Sequence, residues 1–313
     1  MGSDLATLGL AGCLGFGMGG ARLCLLAAAQ DRVWRKDSEG LRMQALTLAL
    51  AASLIALTLT LGGHGLRLPG HGGHPLTIAA AAVLLAVGFV INGGCYLGSV
   101  TLIGQGKGRY LFTLAGIFLA ERFSAPRLAA VDAREGLLQQ AAVPASTVLV
   151  AVFGLIAWLW LSRGRRPFVG DRERGVAIAA VAAVLLFQLH PGWGYRGAVT
   201  ALALMGPFHL MVPQLAGLAV FAGAVVGCLL AGQWRPEWPT LAGGARCLIG
   251  GYLMETGAQC VPGGSDSWVL WTIPGGGAHG LIAYGVAVSL LFLWAWGRRE
   301  TSRLGWAAAP LIR

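Results

Sequence analysis

The sequence predicts an all-α polytopic membrane protein, and three observations lead to that fold class. Of its 313 residues, 56% are hydrophobic and only 12% are charged. The mean hydropathy is +0.68, whereas in a soluble domain about a quarter of the residues carry charge. The apolar residues also fall into long runs, and about 20 such residues cross the hydrocarbon core of a bilayer. We therefore expect a multi-pass protein whose main partner is the lipid bilayer.

Ten apolar segments are candidates for membrane helices, but three regions are too short or too rich in Gly and Pro to span alone. These are Tyr110–Ala120, Gly197–Met205 and the stretch around Val261–Trp271. Short, interrupted segments at corresponding places in two halves are typical of broken helices around a transport site. We expect about nine transmembrane helices plus short broken or re-entrant helices. The ten segments are Leu5–Ala29, Leu41–Gly62, Leu76–Ile91, Tyr110–Ala120, Val143–Leu161, Gly175–Leu189, Gly197–Met205, Met211–Ala231, Leu241–Met254 and Leu281–Trp296.

The distribution of charge predicts the orientation in the membrane. Residues 163–174 carry five Arg, the tail 298–313 carries four, and residues 30–42 hold four further basic side chains. Residues 63–75 instead contain one Arg and three His. Because cytoplasmic loops are enriched in Lys and Arg, the sequence predicts that the amino terminus lies outside and the carboxyl terminus in the cytoplasm. No basic stripe with interleaved aromatics is present, so no nucleic-acid partner is expected.

The chain is expected to form a single membrane domain over residues 1–313. The Arg-rich loop near residue 170 divides it almost in half, which suits an internal duplication with residues 1–165 as the first half and 171–313 as the second. Asn-Gly-Gly-Cys at 92–95 also resembles Pro-Gly-Gly-Ser at 262–265, and each block precedes an apolar run.

The stretch 88–109 contains six glycines after residue 92, too many for a packed spanning helix. Each Gly in a helix interior costs nearly 1 kcal/mol relative to Ala. Non-helical backbone at membrane depth is tolerated where it is buried in protein or lines a cavity, and exposed N–H groups at a helix start bind anions. Cys95 lies at the centre of this region. The alternative interpretation is close helix packing through small residues.

The stretch 243–280 places Arg246, Glu255 and Asp266 within or beside apolar helix. Ionisable groups in such places indicate either a functional site or mutual pairing. An Arg246–Glu255 pair is one possibility, but nine residues apart on one helix it requires a break or another partner. Pro262–Gly264 supplies a candidate break. A purely structural ion pair is the alternative.

Cofactor and metal sites are not expected. Gly-x-Gly-x-x-Gly at residues 15–20 lacks the preceding strand and the soluble βαβ context of a dinucleotide site. The six Cys include no Cys-x-x-Cys pair, which argues against a zinc site or a disulfide framework. A metal site formed by His64, His71 and His74 is less expected than a solvated loop, and His190, His209 and His279 are expected to be capping or interfacial residues.

Several blocks together resemble the YeeE/YedE family of sulfur transporters. Asn-Gly-Gly-Cys-x-x-Gly followed by Gly-x-Gly is similar to that family's signature, and the similarity extends over nearly the whole chain. The matching residues are Asn92, Gly93, Gly94, Cys95, Gly98, Gly104 and Gly106, together with ARLC at 21–24, GARCLIGGYLMETGA at 244–258, VPGGSD at 261–266, His279 and Tyr284.

The resemblance implies a transporter, not an enzyme: an hourglass-shaped inner-membrane permease with pseudo-twofold inverted halves that takes up thiosulfate or a related anion. A small cytoplasmic sulfurtransferase is an implied partner. Cys24 and Cys95 match two cysteines of the family's central path, whereas the third position falls on Gly264, one helical turn after Cys260. The predicted path residues are Cys24, Cys95, Cys260, Arg22, Asn92, Gly93, Gly94, Gly98, Arg246, Gly263, Gly264 and Asp266.

Three alternatives stay open at this point. A permease for selenium or another oxyanion cannot be separated from a sulfur-anion permease by sequence. A membrane thiol oxidoreductase requires an exchange-competent dithiol, and the absence of Cys-x-x-Cys argues against it. A subunit of a larger complex would carry no flux when reconstituted alone.

Overall fold

The computed structural model describes residues 2–21, 23–61, 74–124, 139–162, 171–190, 193–205, 211–261 and 264–303. Within these ranges the chain is a series of helices joined by short turns, and its strand-like pairing is one isolated bridge between Lys107 and Glu237. The helices are α1 Gly2–Ala21, α2 Leu25–Gln30, α3 Glu39–Thr60, α4 Pro75–Asn92, α5 Tyr96–Gly104, α6 Leu111–Phe123, α7 Gln139–Leu161, α8 Asp171–Leu189, α9 Gly197–Met205, α10 Val212–Leu230, α11 Leu241–Cys260, α12 Ser265–Ser267 and α13 Ala278–Arg303.

The outer surface of the helices is apolar, as expected for a protein in a bilayer. Large hydrophobic side chains such as Phe153, Trp160 and Leu293 are more than half exposed. A water-soluble monomer does not present apolar surface on this scale. In the described part of the chain, five helical stretches are long and apolar enough to cross a membrane: Ser3–Arg35, Glu39–Thr60, Pro75–Gly104, Val212–Leu230 and Ala278–Ser302.

Short helices follow long ones at several places. The predicted membrane segment Leu5–Ala29 lies within the spanning stretch Ser3–Arg35, but it is not one continuous helix, because α1 ends at Ala21 and α2 begins at Leu25. The predicted break after Asn92 is found between α4 and α5. The other short segments also form short helices: α9 has nine residues, and α12 continues directly into a π-helical turn at Trp268–Thr272.

Helices α4 and α11 lie antiparallel and approach closely through glycines. A Cβ atom on Gly250 would lie 2.6 Å from the Cβ of Asn92, and one on Gly257 would lie 2.9 Å from the carbonyl oxygen of Ala81. Gly88 likewise faces the backbone of Met254. No larger residue fits at these crossings. The close packing of the two helices brings the regions after Asn92 and after Cys260 into the same interior.

Helix α1 packs between α10 and α8, and here too the helices approach closely through glycines. Gly15 faces Val220 and Gly19 faces Ala224, so α1 and α10 run parallel. Gly17 approaches Gly175 on α8 so closely that a Cβ would lie 2.4 Å from its carbonyl oxygen. Small residues that let backbones approach are typical of helix interfaces in membranes.

The described parts of the Arg-rich segments lie at one end of the helices. Arg42 forms an ion pair with Glu173, and both side chains are nearly buried. Arg299 Nη1 donates to the carbonyl oxygen of Val33 at 2.8 Å, which joins α13 to the turn after α2. The starts of α3 and α8 and the end of α13 therefore share one face of the molecule.

Candidate functional site

Two buried thiols meet where the first two breaks come together. Cys24 is the N-cap of α2 and Cys95 is the N-cap of α5, so each lies at the start of a short helix. Their Sγ atoms are 3.8 Å apart, and both cysteines are free. Cys95 is fully buried and Cys24 is 8% exposed.

Backbone N–H groups converge on the same sulfur atom. The N–H groups of Leu25 and Gly98 each point to Cys95 Sγ at 3.4 Å. These donors belong to the first turns of two different helices, where N–H groups lack an intrahelical partner. A helix start of this kind favours negative charge, so the arrangement offers weak S–H donors and N–H donors to an anion.

The side chain of Asn92 holds the first break in shape. Its Nδ2 donates to the carbonyl oxygen of Gly94 at 2.8 Å and to Ser99 Oγ at 2.9 Å. Its Oδ1 accepts from Thr113 Oγ1 at 2.6 Å. Gly93 has φ +78°, a conformation that Gly adopts without the steric cost of a Cβ. Asn92 is therefore a positioning residue for the turn that presents Cys95.

Gly98 lies directly against the thiols, whereas Gly94 lies against Leu102 and Tyr110. A Cβ on Gly98 would lie 2.5 Å from Cys24 Sγ and 3.7 Å from Cys95 Sγ. A Cβ on Gly94 would lie 3.2 Å from Leu102 Cδ1. Gly98 therefore lets α5 pack directly against the Cys24 thiol, which a larger residue would displace.

The second break repeats the backbone of the first without a thiol. Gly264 is the N-cap of α12, and a Cβ there would lie 2.6 Å from ring carbons of Tyr96. Asp266 follows and is only 6% exposed, and its Oδ1 has no hydrogen-bond partner. Cys260 ends α11, where its thiol donates to the carbonyl oxygen of Thr256 in its own helix at 3.5 Å and not to the Cys24–Cys95 pair. Arg22 and Gly263 lie outside the described residues.

Glu255 has a different partner from the one considered above. It forms an ion pair with Arg196, which precedes α9, and not with Arg246. The hydroxyl of Tyr96 also donates to Glu255 Oε2 at 3.0 Å. Arg246 lies nine residues before Glu255 on α11 and is exposed, so Glu255 pairs with an arginine from outside its own helix.

Arg246 instead lines a small polar pocket beside the first break. Arg109 joins it, so two guanidinium groups face the same pocket, next to the thiol of Cys247. Cys247 Sγ in turn donates to the carbonyl oxygen of Asn92 at 3.6 Å. The pocket is lined by Asn92, Gly93, Arg109, Tyr110, Gly243, Arg246 and Cys247.

The histidines give no metal site within the described residues. His74 caps α4, where its Nδ1 accepts from the N–H of Leu76 at 3.3 Å. His64, His71 and His209 lie outside those residues. His190 Nε2 lies 2.9 Å from Thr7 Oγ1. His279 is buried in the first turn of α13. No group of three His, Cys, Asp or Glu in the described ranges is arranged to hold a metal ion.

Several residues of this interior were missed by sequence reasoning. Arg196 and Glu121 lie in or beside apolar segments, and the rule that intramembrane ionisable groups mark function would have found them. Arg109 and Cys247 carry no such signal, because one lies in a basic turn and the other looks like a small apolar residue. The dithiol was also missed, since its cysteines are 71 residues apart.

Comparison with known families supports the resemblance noted above. Residues 20–212 match the family described as sulphur transport. A comparison with curated proteins found no significant match. The matched segment includes both thiols, the Asn-Gly-Gly-Cys turn and Arg196, and it ends at the first residue of α10. Because this match covers more than half of the chain, the protein belongs to the sulphur transport family. This agrees with its resemblance to the YeeE/YedE transporters.

Proposed function

We propose that this protein is an inner-membrane permease that takes up thiosulfate or a related sulfur-containing anion through the interior beside Cys24 and Cys95. The observation that carries the proposal is the buried pair of thiols 3.8 Å apart at the starts of two short helices. Membership of the sulphur transport family supports the same conclusion. The path residues predicted from sequence that lie around this pair are Asn92, Gly93, Gly94 and Gly98.

The chemistry of the pair suits a soft dianion. Thiosulfate has a polarisable terminal sulfur, for which thiols are weak donors and backbone N–H groups are stronger ones. Conduction requires binding that is favourable enough for the anion to enter and weak enough for it to leave. A full cation between the thiols would bind the dianion more tightly and slow its release. Thiols and N–H groups at one constriction therefore favour passage over capture.

The chain is further proposed to cross the membrane nine times as two inverted halves. The order of long and short helices in α1–α6 is repeated in α8–α13, with the short helix second and fifth in each half. The packing follows the same repeat. Corresponding helices of the two halves pack on each other, α1 on α8 and α4 on α11. The contact of α1 with α10 in one direction corresponds to the contact of α8 with α3 in the other. Helix α7 lies between the halves, so each half begins on the opposite side of the membrane.

We also propose that the amino terminus lies outside and the carboxyl terminus in the cytoplasm. The Arg-rich segments share one face, and the positive-inside rule assigns that face to the cytoplasm. Because α11 starts at this face, the pocket of Arg109 and Arg246 is the cytoplasmic mouth of the path. Its two guanidinium groups would hold an anion that has passed the thiols.

Uptake of a dianion needs a driving force. Against a potential of 100 mV, inside negative, each charge costs about 2.3 kcal/mol and a dianion roughly 4.6 kcal/mol. Without coupling, the cytoplasm would be depleted about 10³-fold. Either a coupling ion or cytoplasmic consumption must draw the anion in. A small sulfurtransferase at the cytoplasmic mouth would supply the second route.

The test is uptake of radiolabelled thiosulfate into proteoliposomes. Cys24→Ser and Cys95→Ser should each lower uptake at least tenfold, whereas Cys13→Ser, on the exposed face of α1, should match the wild type. If both path variants match the wild type, the thiols do not contribute. If the wild type takes up no sulfur anion, the transport function itself is wrong. Selenite and sulfate as competitors separate the selenium and general oxyanion alternatives.

The thiol oxidoreductase alternative is favoured by one observation. The structure brings two free thiols together without a Cys-x-x-Cys motif. Such an enzyme would cycle between dithiol and disulfide, giving two electrons and two protons to an acceptor in each turnover. Non-reducing gels after mild oxidation test whether the pair closes, and turnover with an added thiol substrate tests whether closure is catalytic.

A further inference from the structure

A second buried polar cluster lies next to the thiol pair and serves no role in the path described above. The hydroxyl of Tyr96 donates to Glu255, which is also ion-paired with Arg196. The carboxyl of Glu121 interacts with that of Glu255 and accepts a hydrogen bond from Thr200 Oγ1 at 3.0 Å. Glu255 is fully buried and Glu121 is 7% exposed. Thr200 lies four residues after Arg196, so the carboxyls of Glu121 and Glu255 are both held beside the short helix α9.

A third carboxyl faces this cluster with an unsatisfied oxygen. Asp266 Oδ1 is buried and has no hydrogen-bond partner. It lies across Gly264 from Tyr96: the position of a Cβ on Gly264 is 2.8 Å from Asp266 Oδ1 and 2.6 Å from the Tyr96 ring. A buried carboxylate oxygen without a donor is costly, and the cost is removed when the carboxyl binds a proton.

The balance of charges in this cluster points in the same direction. Glu121, Glu255 and Asp266 provide three acidic groups against the single guanidinium of Arg196, so full ionisation would leave a net charge of −2 (three minus one). The remaining titratable group packed against them, Tyr195, donates its hydroxyl to the carbonyl oxygen of Tyr96. Binding of a proton by this cluster would reduce the imbalance of charge.

We propose that the neighbouring carboxyls of Glu121 and Glu255, together with Asp266, form a proton-binding site that couples proton influx to anion uptake. This inference rests on the proposed transport function. A carboxylate takes up one proton from the outer side and releases the same proton to the cytoplasm.

The connection between the two sites is short. Tyr96 follows Cys95 directly and is the first residue of α5. A movement of α5 on anion binding therefore displaces the Tyr96 hydroxyl, which donates a hydrogen bond to Glu255. Arg196 also lies over the Tyr96 ring, 5.7 Å from its centroid. Anion binding at the thiol pair and proton binding by the carboxyls thus both act on the side chain of Tyr96.

The experiment uses full-length protein in proteoliposomes with a pH-sensitive dye inside and the membrane potential clamped. Addition of thiosulfate outside should acidify the interior of wild-type vesicles. An imposed gradient, one pH unit more acidic outside, should raise accumulation about tenfold for each coupled proton. Glu121→Gln should retain downhill exchange of labelled thiosulfate and lose this tenfold response. The amide oxygen of Gln can still accept from Thr200, so the local structure is conserved.

The controls separate coupling from folding and from transport itself. Glu173→Gln changes another buried, Arg-paired glutamate, at the cytoplasmic end of α8, and should keep the pH response. Asp266→Asn is a second variant that should also reduce the pH response. It serves as the test if Glu121→Gln does not yield folded protein. Wild-type exchange without proton movement, a sodium gradient that replaces the pH gradient, or variants with an unchanged pH response would overturn the coupling site. Absence of any sulfur-anion exchange by the wild type would instead overturn the transport function.

Discussion

The two breaks before α5 and α12 use one backbone design for different chemistry. Cys95 and Gly264 are both N-caps in extended conformation, with ψ −178° and −173°. At the first break the N-cap carries a thiol that meets Cys24. At the second it carries no side chain, and the ring of Tyr96 occupies the space where a Cβ would be. Where the family resemblance implies a third cysteine, the Tyr96 ring fills the space beside Gly264, and the hydroxyl of Tyr96 donates to Glu255.

The largest expected effect tests the charged side of this comparison. Glu255→Gln removes the charge that balances Arg196, whose side chain is 19% exposed. Breaking a buried ion pair on one side costs about 3–5 kcal/mol of unfolding free energy. Glu39→Gln, in a more exposed pair with Arg172, should cost less than about 1 kcal/mol. Denaturation of the purified proteins in detergent measures both, and equal stabilities would show that Arg196 does not depend on Glu255.

A smaller effect is expected from filling the second break. Gly264→Ala places a Cβ against the Tyr96 ring and Asp266 Oδ1, and overpacking of this kind costs about 1–3 kcal/mol. Gly285→Ala in α13 is the matched control, since no atom lies within 4 Å of its Cβ position. Thermal unfolding compares the two variants. If Gly264→Ala is as stable as the control, Tyr96 moves freely and does not fill this position.

The corresponding change at the first break should affect transport more than stability. Gly98→Ala brings a methyl group to 2.5 Å from Cys24 Sγ, so the thiol must turn away from the path. We expect thiosulfate uptake to fall about tenfold. Gly20→Ala in α1, where the Cβ position is open, is the control. Uptake by Gly98→Ala equal to that of the control would mean that the anion does not pass this surface of α5.

The smallest expected effect concerns the polar pocket. Arg246 is exposed, so its charge is partly screened by solvent and salt. Arg246→Gln should change KM by about two- to fivefold for anion efflux from the cytoplasmic side, with kcat unchanged and the difference reduced at high salt. Arg235→Gln removes an exposed charge that does not line the pocket and should leave KM unchanged. An unaltered KM in Arg246→Gln would remove the pocket from the path.

Much of the helical architecture was predictable, because apolar length and glycine density act locally. The break after Asn92 followed from the helix cost of consecutive glycines, and it is found between α4 and α5. The break within Leu5–Ala29 was missed, because its residues have ordinary helix propensities. The partner of Glu255 was missed for another reason: Arg196 is 59 residues away in sequence, and no local pattern connects the two.

The sequence by itself determined that the chain is an apolar helical protein with glycine-rich interruptions, since the bilayer requires long apolar runs and backbone satisfied within the protein. It also identified Cys24, Cys95 and Asp266 as residues of interest. Only the tertiary structure decided that Cys24 meets Cys95, that Cys260 bonds within its own helix, and that Asp266 faces a carboxyl pair. The physical reason is that these contacts depend on close helix crossings through glycine, which join positions far apart in the chain.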